Sequence, residues 1–267
     1  MRPARPAFIA ALLFLGLALA LNGCIQRPLP APPASTAAIN WATETPQGLL
    51  AAMQESAGGL SNFTAYFQIS MDPPPAKMPS AFSGVLYLST EEATTRLRIK
   101  ALHLFGTTLF DMVSKDGVTQ VYIPGKQTLY VGQTPENSPE QAQGPQQIFA
   151  SLMIDFNALH SKPGSRFLIT GDKVRMQLVD GEMWLDKESG HILTLTQKDK
   201  QISYGDYQQL VAHQPAMPTD IQLTTPQGTA RCRLKEITLH ARLGPENFDI
   251  STYPVKETKA LSEAGKH

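Results

Sequence analysis

From Phe63 onward the chain consists of short runs in which apolar and polar residues alternate between turn residues, and that pattern excludes most helical folds. In "NFTAYFQISM" the residues Phe63, Ala65, Phe67, Ile69 and Met71 share one side of an extended chain, because successive side chains of a strand point to opposite faces. Similar runs cover residues 83–89, 95–103, 107–114, 118–123 and 128–132, joined by short links that include Gly117 and Pro124-Gly125. Short links between alternating runs predict an antiparallel meander. After the polar stretch "TPENSPEQAQGP" the runs resume at 167–170, 174–179, 182–186, 191–197, 201–207, 221–225 and 230–239, and "NFDISTY" predicts a last short strand.

Two segments read as helices. Thr45-Pro46 is a cap followed by proline in the first turn; Leu49, Leu50, Met53 and Leu60 form an apolar stripe, and Gly58-Gly59 a stop. A second helix is predicted from Pro145, with Ile148, Phe149, Leu152, Met153 and Phe156 inward. Roughly a dozen strands with so few helices predict a mainly β, α+β domain built on a large curved sheet or barrel. If the barrel does not close, the two amphipathic helices are available to cover its mouth. The apolar strand faces then line either a packed core or a cavity, and periodicity does not distinguish them. No internal repeat or second-domain linker interrupts this single domain, placed at residues 41–255, with a polar tail over 256–267.

The N-terminus has a different chemistry. Arg2 and Arg5 precede an apolar run from Phe8 to Leu21. That run is shorter than the ~20 residues that span a bilayer, and a charged start with a short apolar core is the pattern of a secretory signal peptide, here residues 1–23. Its end, Leu21-Asn22-Gly23-Cys24, resembles the lipobox of bacterial lipoproteins. The resemblance implies cleavage before Cys24 and a diacylglyceryl group on its thiol, with more than one acyl chain and hence firm anchoring. Ile25 stands where an Asp commonly signals inner-membrane retention, which points to the periplasmic face of the outer membrane. Cleavage would leave 21 basic and 23 acidic residues, and Cys232 as the remaining thiol, so no internal disulfide is expected. Residues 24–40, with Pro28, Pro30, Pro32 and Pro33, form an extended tether that reaches about 50 Å at ~3.1 Å per residue.

Bulk composition removes other classes. Basic and acidic residues balance at 23 each, which recommends no nucleic-acid partner. The six histidines form no H-E-x-x-H motif or i, i+4 pair on a predicted helix, so no metal or cofactor is expected. No G-x-S-x-G elbow or phosphate-cradling glycine loop occurs. Cys232, alternating with Arg231 and Arg233, shares a strand face with Ala230 and Leu234 and reads as a buried filler. The sequence supports no catalytic residue, and a non-enzymatic role is expected.

One corner does not fit an ordinary hairpin. In "ALHLFGTTLFDMV" the turn around Gly106-Thr107-Thr108 is flanked by Leu104, Phe105, Leu109 and Phe110, whereas turns are usually polar. Phe105 either projects from the tip or folds back under a helix.

Two segments carry a family resemblance. "SYGDYQQLVAHQPAMPTDIQLTTPQGTARCRLKEITL" resembles the C-terminal part of the outer-membrane lipoprotein receptor family of LolB, in a Tyr-Gly-x-Tyr strand end (Tyr204, Gly205, Tyr207), the "QPAMP" run and the alternating strand with Ile221 and Leu223. "RLRIKALHLFGTTLFDMV" resembles that family's strand–Pro-Leu-Gly–strand segment, with Leu104-Phe105-Gly106 at the turn, and "GPENFDISTYP" resembles the C-terminal strand of the related soluble carrier family, LolA. The resemblance implies an incomplete, strongly curved antiparallel β-barrel of about eleven strands with helices over its open side, its hollow holding acyl chains. It implies lipoprotein or other lipid cargo and a periplasmic carrier as partner, with the residue at the Phe105 position protruding to assist insertion of cargo into the membrane; nothing in the sequence itself demands more than a monomer. Phe67, Ile69, Leu97, Ile99, Phe110, Met112, Leu193, Leu195, Ile221 and Leu223 are the candidates to line the hollow. A tethered half-barrel that docks an envelope protein, in assembly or stress sensing, is the competing expectation, with the loop from Pro135 to Pro145 available for contact.

Overall fold

The computed structural model describes residues 39–58, 62–74, 79–90, 95–103, 105–133, 159–210 and 216–263. The predicted signal peptide, the candidate lipidation site Cys24, the predicted tether up to residue 38, the second predicted helix, the loop from Pro135 to Pro145 and Leu104 lie outside the described residues.

Helix α1, Pro46–Gly58, starts where the Thr-Pro pair places it. The Thr45 hydroxyl accepts a hydrogen bond from the Gly48 amide at 3.1 Å, and the Thr45 carbonyl accepts one from Leu49 at 3.0 Å. The cap satisfies a terminal N–H that the helix itself leaves open. Ahead of it, Trp41 donates through Nε1 to the Lys187 carbonyl (2.8 Å) and packs edge-on against Phe167.

The alternating runs become strands β1 (Asn62–Asp72), β2 (Ala81–Ser89), β3 (Arg96–Leu102), β4 (Thr108–Lys115), β5 (Val118–Ile123) and β6 (Thr128–Gln133). The second series is β7 (Leu168–Thr170), β8 (Lys173–Leu178), β9 (Gly181–Asp186), β10 (Ile192–Gln197), β11 (Lys200–Gln208), β12 (Met217–Thr225) and β13 (Gly228–Leu239). Each series is a meander, and the two are zipped together where β1 pairs antiparallel with β13. A last strand, β14 (Glu257–Ala260), lies parallel to β6. All fourteen form one curved sheet in the order β14-β6-β5-β4-β3-β2-β1-β13-β12-β11-β10-β9-β8-β7, with β14 and β7 as its two edges.

Two expectations are corrected at the C-terminus. "NFDISTY" is not a strand: Pro245–Phe248 is a short 3₁₀ turn, and a second turn, closed from the Tyr253 amide to the Ile250 carbonyl, follows it. The run 256–267 is not simply a polar tail, because Glu257–Ala260 pairs with Thr128–Val131 and adds an edge strand. With β14 the sheet has more strands than the resemblance implies.

Antiparallel register places directly opposed residues on one face. Tyr130, Val121, Met112, Ile99, Leu86 and Ala65 are successive partners from β6 to β1. Ile69 opposes Cys232, Cys232 opposes Ile221, and Ile221 opposes Tyr204. Leu223–Ile202, Ile202–Leu195, Leu195–Met183 and Met183–Met176 carry the same face to β8. Two buried clusters therefore share one inner face. The first belongs to β1–β6 and β13, with Phe67, Phe82 and Phe110 in edge-to-face contact; the second belongs to β8–β12, with α1 packed on it through Leu49, Leu50 and Met53. Bulges between β1 and β13, β3 and β4, and β9 and β10 sharpen the bend. The described strands and the buried clusters all lie within one compact unit, residues 37–267.

Candidate functional site

The inner face collects nine of the ten candidate lining residues. Phe67, Ile69, Ile99, Phe110 and Met112 are buried in the first cluster with Leu97 against it, and Leu195, Ile221 and Leu223 are buried in the second. Leu193 is the exception. Ile192 opposes Leu185 and Thr194 opposes Trp184, so Leu193 is the extra residue of a bulge, and Ile192 enters the core in its place. A one-residue slip reverses which side chains face inward. The same face also holds Ala65, Leu86, Val174, Met176, Met183 and Ile202. Their alternation was readable in the sequence, and methionine adds adaptable surface.

One end of the sheet gathers the exposed apolar side chains of the connections. Strand direction puts the β3–β4, β5–β6 and β8–β9 turns there, together with the segment entering β14. Phe105, at the β3–β4 tip, is 87% exposed, and Val179 and Val255 at the same end are exposed as well. The tip is well defined: the Gly106 amide donates to the His103 carbonyl and the His103 amide to the Thr107 carbonyl, both at 2.8 Å. Gly106 has φ +79°, a conformation that favours glycine and turns the chain after Phe105. The His103 ring lies 5.4 Å from the Phe105 ring. Of the two alternatives for Phe105, the structure therefore has it projecting. Lys126 and Lys256 are exposed on the neighbouring connections, and the Lys256 amide bonds the Gln127 carbonyl.

The outer face of β2–β6 is covered by a strap formed by the chain from Leu243 to Lys256. Phe248 and Ile250 are buried against Val113 and Tyr122, with Tyr87, Leu129, Leu243 and Tyr253 around them. Beneath the strap Asp111, which is fully buried, receives two hydrogen bonds from Arg98 (2.9 and 2.7 Å) and one from the Tyr253 hydroxyl (2.7 Å). Arg98 also donates to the Asn247 carbonyl at 2.9 Å. The bond to Asp111 raises the Arg98 pKa, while burial, aided by the Asp111 carboxylate, pushes the Tyr253 phenol up to about 12. Tyr253 stacks on Tyr122, whose hydroxyl donates to the Pro254 carbonyl at 3.0 Å. These residues hold the strap in place.

Among the described residues no group of three or more His, Cys, Asp or Glu could hold a metal ion. Asp220 pairs with Arg231 and Arg233 on the face opposite Cys232, and its carboxyl is held below the usual range chiefly by the Arg231 hydrogen bond. Burial pushes the Cys232 thiol up to about 12, so it stays protonated and unreactive at neutral pH. In folded protein Cys232 should resist alkylation by iodoacetamide and react fully in denaturant; rapid labelling without denaturant would contradict its burial. A groove of about 620 Å³ between Asn62, His240, Arg242 and Glu246 lies at the end opposite Phe105.

No family model matches the sequence, and neither does any curated protein. Solved structures do match. A DUF1329 family protein from Desulfovibrio piger superposes with a TM-score of 0.58 at 10% identity, over 76% of this chain and 96% of that one. The LolA superfamily protein NE2245 from Nitrosomonas europaea superposes with a TM-score of 0.50 at 11% identity, over 77% and 98% of the two chains. At such identities the likeness speaks of architecture alone, and it agrees with the sheet, its order and its apolar inner face: the chain has the LolA/LolB-like fold.

Proposed function

We propose that this protein is a lipid-anchored acceptor that binds acyl chains against its apolar inner face and passes lipoproteins, or other lipids, into the outer membrane without catalysis. Lipidation of Cys24 holds it at the membrane, the absence of Asp after that Cys directs it to the outer membrane, and the tether lets the domain meet a periplasmic carrier. One observation carries the reading: Phe105, 87% exposed, stands at a glycine-turned hairpin tip at one end of a sheet whose inner face is apolar. Solvating a phenylalanine this fully is unfavourable, and moving it into a bilayer interface recovers roughly 1.5–3 kcal/mol. Each CH₂ of a bound acyl chain contributes about 0.8 kcal/mol, so a non-covalent site can hold and release cargo without nucleotide hydrolysis.

The test is a transfer assay. Residues 26–267 are offered a periplasmic carrier loaded with labelled lipoprotein, and then liposomes. Uptake of label is expected, and Phe105→Ser should leave uptake and Tm nearly unchanged while reducing delivery to liposomes about tenfold or more. Uptake without any effect of Phe105→Ser on delivery would remove the tip from the mechanism. Failure of the wild type to take up label, where an authentic receptor succeeds, would favour a docking module for an envelope protein.

A further inference from the structure

The Tyr-Gly-x-Tyr strand end contains two tyrosines in opposite states. Tyr207 is satisfied: its hydroxyl donates to the Ile192 carbonyl at 2.7 Å, and its ring stacks on His191 at 4.1 Å. Tyr204, on the inner face of β11, is 5% exposed, and its buried hydroxyl has no hydrogen-bond partner among the described residues. It stands directly across from Ile221 and belongs to the second apolar cluster, with Ile202, Leu223 and Leu195 from the sheet and Leu49 and Leu50 from α1. The other tyrosine hydroxyls described above, of Tyr122 and Tyr253, both donate.

A buried hydroxyl without an acceptor is destabilising, and phenylalanine would fill nearly the same space without that cost. Burial also raises the phenol's pKa far above its ordinary value, so Tyr204 is neutral and able to donate throughout the physiological range. What it lacks is an acceptor: the side chains around it are aliphatic or aromatic, and the Tyr207 hydroxyl, its polar neighbour in the cluster, is committed to the Ile192 carbonyl. Deep burial among apolar side chains disfavours a charged carboxylate at this position and favours an uncharged carbonyl oxygen.

We propose that the Tyr204 hydroxyl is the polar anchor of the inner face, donating a hydrogen bond to the ester or amide carbonyl at the head of a bound acyl chain. The inference rests on the acyl-binding reading and adds to it a position and a ligand chemistry. The chain's hydrocarbon lies along the apolar face, and the carbonyl–phenol bond fixes how far in the head is drawn. Hydrocarbon contacts do not discriminate between lipids; a single buried donor does, because a ligand without the acceptor leaves the hydroxyl unsatisfied.

Three pyrene-labelled probes of equal chain length test this with residues 26–267: a diacylglycerol, a fatty acid at pH 7, and a plain alkane. Tyr204→Phe is expected to weaken diacylglycerol binding about fivefold and to leave alkane binding unchanged. The fatty acid should bind the wild type more weakly than the ester does. In the ligand-free protein Tyr204→Phe should raise Tm by about 2–4 °C, whereas Tyr207→Phe, which deletes a satisfied bond, should lower it. Unchanged diacylglycerol affinity in Tyr204→Phe would overturn the proposal and leave the acyl-binding reading intact. Equal weakening for all three probes would also overturn it, since Tyr204 would then act only by packing. A wild type that bound none of the probes would overturn both.

Discussion

Replacing Asp111 by Ala should cost about 3–5 kcal/mol and lower Tm by roughly 6–15 °C, the largest loss expected from any single polar substitution described here. Asp111 is fully buried and its carboxylate accepts from Arg98 and from Tyr253. Removing it leaves a guanidinium half-buried on the outer face without its carboxylate, facing the Asn247 carbonyl and the Tyr253 hydroxyl. An ion pair in such a place contributes little net stability compared with an apolar pair of the same shape, but breaking one side strands the other. The double replacement Arg98→Met with Asp111→Leu should therefore be much less damaging than Asp111→Ala alone. The consequence should be local before it is global. Without Asp111 the strap loses its bond at Tyr253, so trypsin should cut at Lys256 sooner than in the wild type. Thermal and urea denaturation together with limited proteolysis check both parts. A Tm change below about 2 °C with an unaltered cleavage rate would show that the strap does not depend on the buried carboxylate.

Gly84→Val should cost about 3 kcal/mol, because the inner face has no room for a side chain there. A Cβ at Gly84 would meet the Phe67 ring at 2.6 Å and press on the Lys100 backbone carbonyl. Phe67 opposes Gly84 across β1 and β2, and Ala101 opposes it across β3. The glycine is thus the recess over which the fully buried Phe67 ring lies. Phe67 can be shortened but the Lys100 carbonyl cannot, so adding Phe67→Leu should restore only part of the loss. Non-additivity of the two substitutions in denaturant titrations is the signature expected of neighbours in contact. Full additivity, or a cost below about 1 kcal/mol for Gly84→Val, would mean that the ring does not rest on this glycine.

The strands could be read from the sequence because alternation is enforced residue by residue wherever one face is buried, and α1 because Thr45-Pro46 fixes its start locally. Other features depend on information that is not local. Leu193 was placed inward by parity, and a bulge at that very residue reversed it. The fate of Phe105 was undecided because an apolar residue at a turn has the same pattern whether it projects or folds back. The strap has no period at all. Phe248 and Ile250 are held by strands more than a hundred residues earlier in the chain, and Arg98 reaches Asn247 across 149 positions. Tyr204 stood out in the sequence only as part of a strand-end motif; that its hydroxyl finds no acceptor among the described residues emerged from three-dimensional packing.

The seam between β1 and β13 has a consequence for the order in which the chain assembles. Every other antiparallel pairing in the sheet joins strands consecutive in sequence, and each such hairpin can close over a short loop at modest entropic cost. The first strand alone must wait for the thirteenth. A chain emerging from its N-terminus would complete β1–β6 while the far edge of β1, bearing Phe63, Phe67 and Ile69, still lacked its neighbour. During that interval β1 is an open edge backed by an apolar face, the arrangement that invites pairing with other chains. Arrival of β13 closes that edge and joins the two meanders into one sheet in the same step, so the rate of this long-range encounter should govern how much of the nascent protein escapes aggregation.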